Sequence, residues 1–293
     1  DRLPVRREGL KGFTGTPQMG GLAGDDRLAG MIRHRRPRAL AVDEVAAVER
    51  AFPGRARLDV DHRTRYDAAV TDLLDRCGWE ASAGFELTDD MRLTIAARAA
   101  ILAIGFDESP LGAVRTIVVH PSTIMLSSVR RGAIPGTVSD GPMPVAGHTA
   151  ARGPVFLAWN QVAGDRRHPR RHRDVVLHEF AHQLDFLDGA GDGTPPLEGD
   201  RRRRWITICQ MELDALRRGN GSALLRSYAA TNPSECFAVA TEVFLTNGAS
   251  LRDDRPLLHA VLADYYNVDP ADWAGEEIPP SSTLTSADRD PSS

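Results

Sequence analysis

Apolar residues in the first third of the chain recur at three- and four-residue spacing, which is the period of an amphipathic helix. The spacing predicts helices over residues 43–52 and 65–76, which would form a small helical lobe. A third helix is predicted after Thr88, a good N-cap, and Gly105 is placed to end it. Its apolar face carries Met91, Ile95, Ala99 and Leu102.

Two β-branched or aromatic runs predict strands over residues 115–121 and 154–160, with a Gly- and Pro-rich loop between them. We expect the two strands to share a sheet. The next apolar segment, residues 175–189, follows Asp174, which can cap a helix. The pattern therefore predicts an α+β fold that is mostly helical, with a small sheet beside this helix.

The two ends of the chain lack this periodicity. Residues 1–38 are rich in Arg and Gly and bury too little apolar surface to offset the entropy of ordering, so we expect a flexible arm. Residues 275–293 are rich in Pro and Ser and are expected to be a disordered tail. One folded domain is predicted between them, over residues 39–274.

Composition narrows the class of protein. With 36 basic and 40 acidic residues the formal charge is -4, which provides no overall attraction to nucleic acid. The three cysteines form no CxxC pair, which argues against a disulfide scaffold and a thiolate zinc site. No apolar run approaches the roughly 18 residues of a membrane span, so we expect a cytoplasmic protein without a membrane partner.

The strongest chemical signal is the HExxH sequence at residues 178–182. His178 and His182 lie one helical turn apart and can reach one metal ion, while Glu179 is placed to act as a general base. The surrounding residues are strongly apolar, and unpaired histidines in a buried helix would be costly. A zinc site, with a third protein ligand and an open position for water, removes that cost.

The third ligand is predicted from the helix that Asn232 caps and Pro233 opens. Glu235 and Glu242 are seven residues apart on one face, and only one of them is expected to bind the metal directly. Glu235 also occupies the position of a capping-box carboxylate, so the spacing leaves the choice open. The other glutamate could support a ligand from outside the coordination sphere.

Several segments together resemble the Mlc titration factor A family of zinc peptidases, whose peptidase core is also similar to that of anthrax lethal factor. The resemblance is carried in order by GPVFLAWNQV, DVVLHEFAHQLDFLDGAGDGTP and YAATNPSECFAVATEVF, and covers about residues 65–270. It implies a gluzincin-like, zincin-type fold for the predicted domain and peptide-bond hydrolysis as its activity.

The resemblance also implies roles for individual residues. One Zn²⁺ would be bound by His178, His182 and Glu235, with Glu179 as the catalytic base and Tyr228 assisting in the transition state. Aminopeptidase cleavage of a peptide or protein substrate is one expected activity. Family members of enteric bacteria bind a glucose-responsive transcriptional repressor, so a repressor partner and a link to sugar uptake are also implied.

Two other functions remain open. The first is a zinc scaffold with little or no activity that binds a regulatory protein. The second is a nucleic-acid-binding module that uses arginine clusters at residues 33–38, 166–173 and 201–204, although most such runs are solvated surfaces.

Other residues near the motifs carry separate expectations. Asp185 falls on the histidine side of its helix and could orient a ligand imidazole, or simply be solvated. Cys236 is expected to be a small core residue, and residues 188–193 an ordinary turn. Residues 155–159 could form an edge strand that pairs with substrate, or an ordinary sheet strand.

Overall fold

The computed structural model describes residues 38–82, 84–122, 124–126, 143–145, 153–167 and 173–273. The predicted arm and tail, residues 1–38 and 275–293, lie outside this part of the chain except for Arg38. Eight α-helices occur in the described residues. They are α1 (Val42–Ala51), α2 (Val60–Arg76), α3 (Asp89–Ala100), α4 (Trp159–Arg167), α5 (Val175–Asp185), α6 (Gly199–Arg217), α7 (Pro233–Asp254) and α8 (Pro256–Tyr266).

A small parallel sheet accompanies the helices. It contains β1 (Gly78–Ala81), β2 (Thr116–His120) and β5 (Val155–Ala158) in the order β1-β2-β5. β2 pairs with β5 in the register Ile117 with Val155, which confirms that the two predicted strands share a sheet. A separate antiparallel pair joins β3 (Ile124–Leu126) to β4 (Met143–Val145). The predicted mostly helical α+β fold is therefore confirmed.

Helix α5 lies at the centre of the core. It packs against α7, α3 and β5, and all of its residues from Val175 to Asp185 are buried. The apolar face predicted from the sequence is therefore in contact with helices on one side and the sheet on the other. This burial fixes the direction in which its histidines project.

Several predicted boundaries differ from the structure; α3, for example, ends at Ala100 rather than just before Gly105, and Leu102 lies in the 3-10 turn Ile101–Ala103. Helix α2 begins at Val60 rather than residue 65, because Asp59 caps it by accepting a hydrogen bond from the His62 backbone N–H at 2.8 Å. The strand predicted to residue 160 ends at Ala158, and Trp159 already begins α4. The helix predicted to residue 189 ends at Asp185, continues as the 3-10 turn Phe186–Asp188 and stops at Gly189, whose φ is 89°.

No helix in the described part of the chain is both long and apolar enough to cross a membrane.

Candidate metal centre

Helix α5 places the two motif histidines side by side. Asp174 caps the helix by accepting a hydrogen bond from the Leu177 backbone N–H at 3.0 Å. One turn later the ring centroids of His178 and His182 are 4.9 Å apart and nearly perpendicular. Both side chains are almost completely buried, at 8% exposure each. Two imidazoles therefore face one small volume from which bulk water is largely excluded.

Helix α7 brings Glu235 to the histidines. Asn232 caps α7 by accepting a hydrogen bond from the Glu235 backbone N–H at 2.9 Å. Glu235 therefore lies in the first turn of α7, as the sequence predicts. Its carboxylate is directed elsewhere: Oε2 lies 3.1 Å from His178 Nε2 and 3.6 Å from His182 Nε2. Glu235 therefore takes part in the helix cap through its backbone N–H alone. Its side chain faces the imidazoles and is not used as a capping-box carboxylate.

The donor atoms fit a metal ion. Ligand atoms of His178, His182 and Glu235 all lie within 4.8 Å of one another. Tetrahedral zinc with bonds of roughly 2.1 Å keeps its donors about 3.4 Å apart, and the two measured Nε2–Oε2 separations of 3.1 and 3.6 Å bracket that value. Glu235 Oε2 is buried yet accepts no hydrogen bond of good geometry. The two imidazole nitrogens and the carboxylate oxygen therefore lie where one cation could accept a bond from each.

Glu242 supports His178 from behind. Its side chain is completely buried, and Oε1 accepts a hydrogen bond from His178 Nδ1 at 2.7 Å. Oε2 accepts the Asp174 backbone N–H at 3.0 Å, and Arg226 also donates to Oε1. A carboxylate on Nδ1–H fixes the ring and leaves Nε2 free to bind a metal. Glu242 thus lies behind His178 at Nδ1, whereas Glu235 lies beside the Nε2 atoms of both histidines.

His182 is oriented through a serine. Its Nδ1 lies 3.1 Å from Ser234 Oγ, and the Ser234 hydroxyl donates to Asp185 Oδ2 at 2.6 Å. Asp185 is fully buried rather than solvated, and its other oxygen accepts the Gly193 backbone N–H at 2.8 Å. Burial raises the pKa of Asp185, although the hydrogen bonds from Ser234 and Gly193 act to lower it. The predicted orienting role for Asp185 is therefore geometrically sound, but it acts through an intervening hydroxyl.

The charges at the centre favour binding of a cation. Burial lowers the pKa of His178, but close contacts with the carboxylates of Glu235 and Glu242 outweigh that effect and raise it to about 9. A metal ion would take the place of the proton that His178 otherwise holds.

Glu179 is set apart from this hydrogen-bond network. Its side chain is 1% exposed, and Oε2 has no hydrogen-bond partner among the described residues. Burial raises its pKa to about 8; the neighbouring His178 opposes the shift, while the charges of Glu235 and Glu242 add to it. Glu179 therefore has one oxygen free to exchange a proton and a pKa raised toward neutrality.

Tyr228 lies at the exposed side of the centre. It belongs to the 3-10 turn Ser227–Ala230, and its hydroxyl donates to Glu235 Oε1 at 3.1 Å. The ring is 6.1 Å from that of His178, and the side chain remains 47% exposed. Burial and the Glu235 carboxylate raise the pKa of Tyr228 to about 12, so it keeps its proton as a hydrogen-bond donor.

Sequence reasoning missed two members of this arrangement, Ser234 and Arg226. Ser234 directly precedes the ligand candidate Glu235, and that adjacency was the available signal. Arg226 precedes Tyr228 by two residues, but nothing in the local sequence indicates that it reaches Glu242, which is 16 residues away.

The structure also bears on Cys236, the turn over residues 188–193 and strand β5. Cys236 is buried in the core, as predicted, and burial raises the pKa of its thiol to about 12. Asp188 and Asp192 accept backbone hydrogen bonds two residues on, as in ordinary turns. Strand β5 pairs only with β2 among the described strands, which places it at a sheet edge.

The arginine clusters provide little support for nucleic-acid binding. Arg201 pairs with Asp264 at 2.8 Å, and Arg203 pairs with Asp200. These two guanidinium groups are therefore partly neutralised by neighbouring carboxylates. Residues 33–37 and 168–172 of the other clusters lie outside the described residues.

The chain is similar to one protein family and to several known proteins. The model of the glucose-regulated metallo-peptidase M90 family matches residues 30–267. An uncharacterized protein of Synechocystis sp. is 35% identical over 227 residues, covering 75% of this chain and 81% of that protein. Mlc titration factor A of Serratia proteamaculans is 26% identical over 228 residues, covering 75% and 85%. The protein of the same name from Edwardsiella ictaluri is 31% identical over 160 residues, covering 53% and 60%.

Proposed function

The chain belongs to the glucose-regulated metallo-peptidase M90 family, and we propose that it is a zinc-dependent peptidase. The observation that carries this proposal is the convergence of His178 Nε2, His182 Nε2 and Glu235 Oε2 beside a buried carboxylate, Glu179. Two nitrogen donors and one oxygen donor are the ligand set of many catalytic zinc sites.

In this proposal one Zn²⁺ is held by the three converging side chains. When bound, it supplies Lewis acidity, polarising the scissile carbonyl and lowering the pKa of the attacking water. The remaining tasks fall to the protein. His178 and His182 are held in the required tautomer by Glu242 and Ser234, because each Nδ1 already donates a hydrogen bond.

Glu179 is proposed to move the proton. Its uncommitted Oε2 would accept a proton from water during attack and return it to the leaving amine. Burial supports this role, because a carboxylate removed from water binds a proton more readily than a solvated one.

Tyr228 is proposed to stabilise charge on the substrate oxygen. Its hydroxyl is bound to Glu235 Oε1 and partly exposed, so it can exchange this partner for a developing oxyanion. Its raised pKa keeps the hydroxyl protonated at neutral pH, as a hydrogen-bond donor must be.

Two finer assignments belong to the proposal. Aminopeptidase cleavage follows from the family resemblance, and a transcriptional-repressor partner is supported by the relatives named Mlc titration factor A. Strand β5 has β2 as its one described neighbour, and pairing of an extended peptide with its other edge would suit a peptide or protein substrate.

The test compares wild type, Glu179→Gln and Glu198→Gln, an exposed glutamate outside the centre. Zinc content and hydrolysis of aminoacyl nitroanilides and N-acetylated peptides are measured for each. We expect Glu179→Gln to retain zinc and to lose activity by roughly 10² to 10⁴-fold, the usual worth of a general base. Equal activity in all three proteins would refute the mechanism. Zinc binding without hydrolysis in wild type would favour the scaffold function.

A further inference from the structure

A cavity of about 500 Å³ lies apart from the metal centre. It is lined by the end of α1, the 3-10 turn Pro53–Arg57, α3, α4, the first turn of α5 and the middle of α7. None of the converging donors of the metal centre is among its lining residues. Its volume falls within the roughly 300 to 1,000 Å³ of small-molecule sites.

The cavity has an excess of positive charge. Four guanidinium groups face two carboxylates, Asp165 and Asp174; the four belong to Arg50, Arg57, Arg98 and Arg173. Burial raises the pKa of Asp165 to about 6, so its carboxyl carries less than a full negative charge in weakly acidic solution. Asp174 is already paired with Arg98. Asp165 also lies 3.9 Å from Arg173, so Arg50 and Arg57 are the two arginines of the lining that neither of these carboxylates pairs with.

Two of these arginines are available to a ligand. Arg57 donates to the backbone carbonyl of Trp273 at 3.0 Å and has no carboxylate partner among the described residues. Arg50 pairs with Asp90 at 3.2 Å, but both side chains are more than half exposed. An exposed pair of this kind contributes little to stability, so Arg50 can turn to another anion at small cost.

Two aromatic residues line one side of the cavity. Phe52 and Trp273 meet edge to face, with ring centroids 6.3 Å apart. Trp273 is only 7% exposed, and its indole Nε1–H has no hydrogen-bond partner in the described part of the chain. Buried indole N–H groups normally find an acceptor. Because this nitrogen is itself inaccessible to water, Phe52 and Trp273 contribute apolar ring atoms to the lining rather than a hydrogen-bond donor.

We propose that this cavity binds a small organic phosphate, with the phosphate on Arg57 and Arg50 and an apolar or planar body against Phe52 and Trp273. Guanidinium groups match the geometry of phosphate oxygens and bind them through charge-assisted hydrogen bonds. The limited volume and the apolar ring atoms of Phe52 and Trp273 favour a small molecule over an extended polymer. The proposed phosphate contacts use none of the metal ligands or catalytic residues proposed above.

The test is calorimetric titration of the full-length, zinc-loaded protein with phenyl phosphate, inorganic phosphate and phenol at fixed ionic strength. We expect saturable binding of one phenyl phosphate per chain, at least tenfold tighter than either fragment. Arg57→Gln should weaken it at least tenfold. Arg202→Gln removes the same charge from an exposed position outside the cavity and should leave it unchanged.

A second readout locates the ligand. The Nε1–H resonance of Trp273, assigned by its loss in Trp273→Phe, should shift during the titration in wild type and not in Arg57→Gln. Phosphate that binds the zinc instead would show equal affinity in wild type and Arg57→Gln, which would overturn the proposal. Absence of saturable binding, or equal binding of phenol and phenyl phosphate, would also overturn it.

Discussion

Replacing Glu242 with glutamine should weaken metal binding without altering any proposed ligand. All three contacts of this buried carboxylate are donors: His178 Nδ1–H and Arg226 at Oε1, and the Asp174 backbone N–H at Oε2. A glutamine has only one acceptor oxygen. If that oxygen remains on His178, the amide NH₂ must face the Asp174 N–H, and two donors then oppose each other.

The expected magnitude follows from these contacts. Loss of a supporting carboxylate behind a ligating histidine costs about 10 to 100-fold in metal affinity, which is roughly 1.4 to 2.7 kcal/mol. The unpaired Asp174 N–H adds about 1 to 3 kcal/mol of lost folding stability. Competition with a chromophoric zinc chelator measures the first quantity, and urea unfolding of the zinc-free protein measures the second.

Glu212 provides a matched control for this substitution. It is also a buried glutamate, with 7% exposure, that accepts a backbone N–H from Ser222 at 2.9 Å and pairs with Arg255. Glu212→Gln should therefore lose stability while binding zinc as wild type does. The reasoning fails if Glu242→Gln folds and keeps wild-type zinc affinity, or if both variants lose affinity equally.

Three further substitutions test the surroundings of the centre. Ser234→Ala removes the hydroxyl that accepts from His182 Nδ1 at 3.1 Å, and should weaken zinc binding about tenfold in chelator competition. Unchanged zinc affinity would show that Ser234 does not orient His182. Burial raises the pKa of Asp165 from 3.8 in the unfolded chain to about 6. Ionising this carboxyl therefore lowers the stability of the fold as the pH rises from about 4 to about 6. Urea unfolding should therefore show Asp165→Asn gaining about 2 kcal/mol over wild type between pH 4 and pH 7, whereas a constant difference would contradict the assigned shift. At Gly193, φ is 80° and an added Cβ would lie 2.4 Å from the Pro233 carbonyl oxygen; Gly193→Ala should lower the unfolding free energy by about 1 to 3 kcal/mol, and wild-type stability would show that the loop can move.

Local sequence was sufficient to predict the element that carries the histidines. Asp174 caps α5, and the apolar residues around the motif are buried as their spacing predicts. The same rules missed the start of α2, where Asp59 is a capping residue of the expected type. They also extended β5 through Trp159, because an aromatic residue favours a strand locally while the chain already turns into α4 there.

The supporting contacts were harder to predict because they join distant segments. Spacing placed Glu235 and Glu242 on one face of α7 but could not decide which one faces the imidazole Nε2 atoms. That choice depends on how α7 packs against α5, a contact between residues about 60 positions apart. The cavity beside Trp273 was not foreseen for the same reason, since its walls come from both ends of the described chain.

The most direct test of the central claim is diffraction from zinc-loaded crystals at energies on either side of the zinc absorption edge. A single anomalous peak is expected within bonding distance, about 2.0 to 2.2 Å, of His178 Nε2, His182 Nε2 and a Glu235 carboxylate oxygen. A zinc ion bound elsewhere, or a peak to which Glu235 contributes no oxygen, would contradict the proposed metal centre.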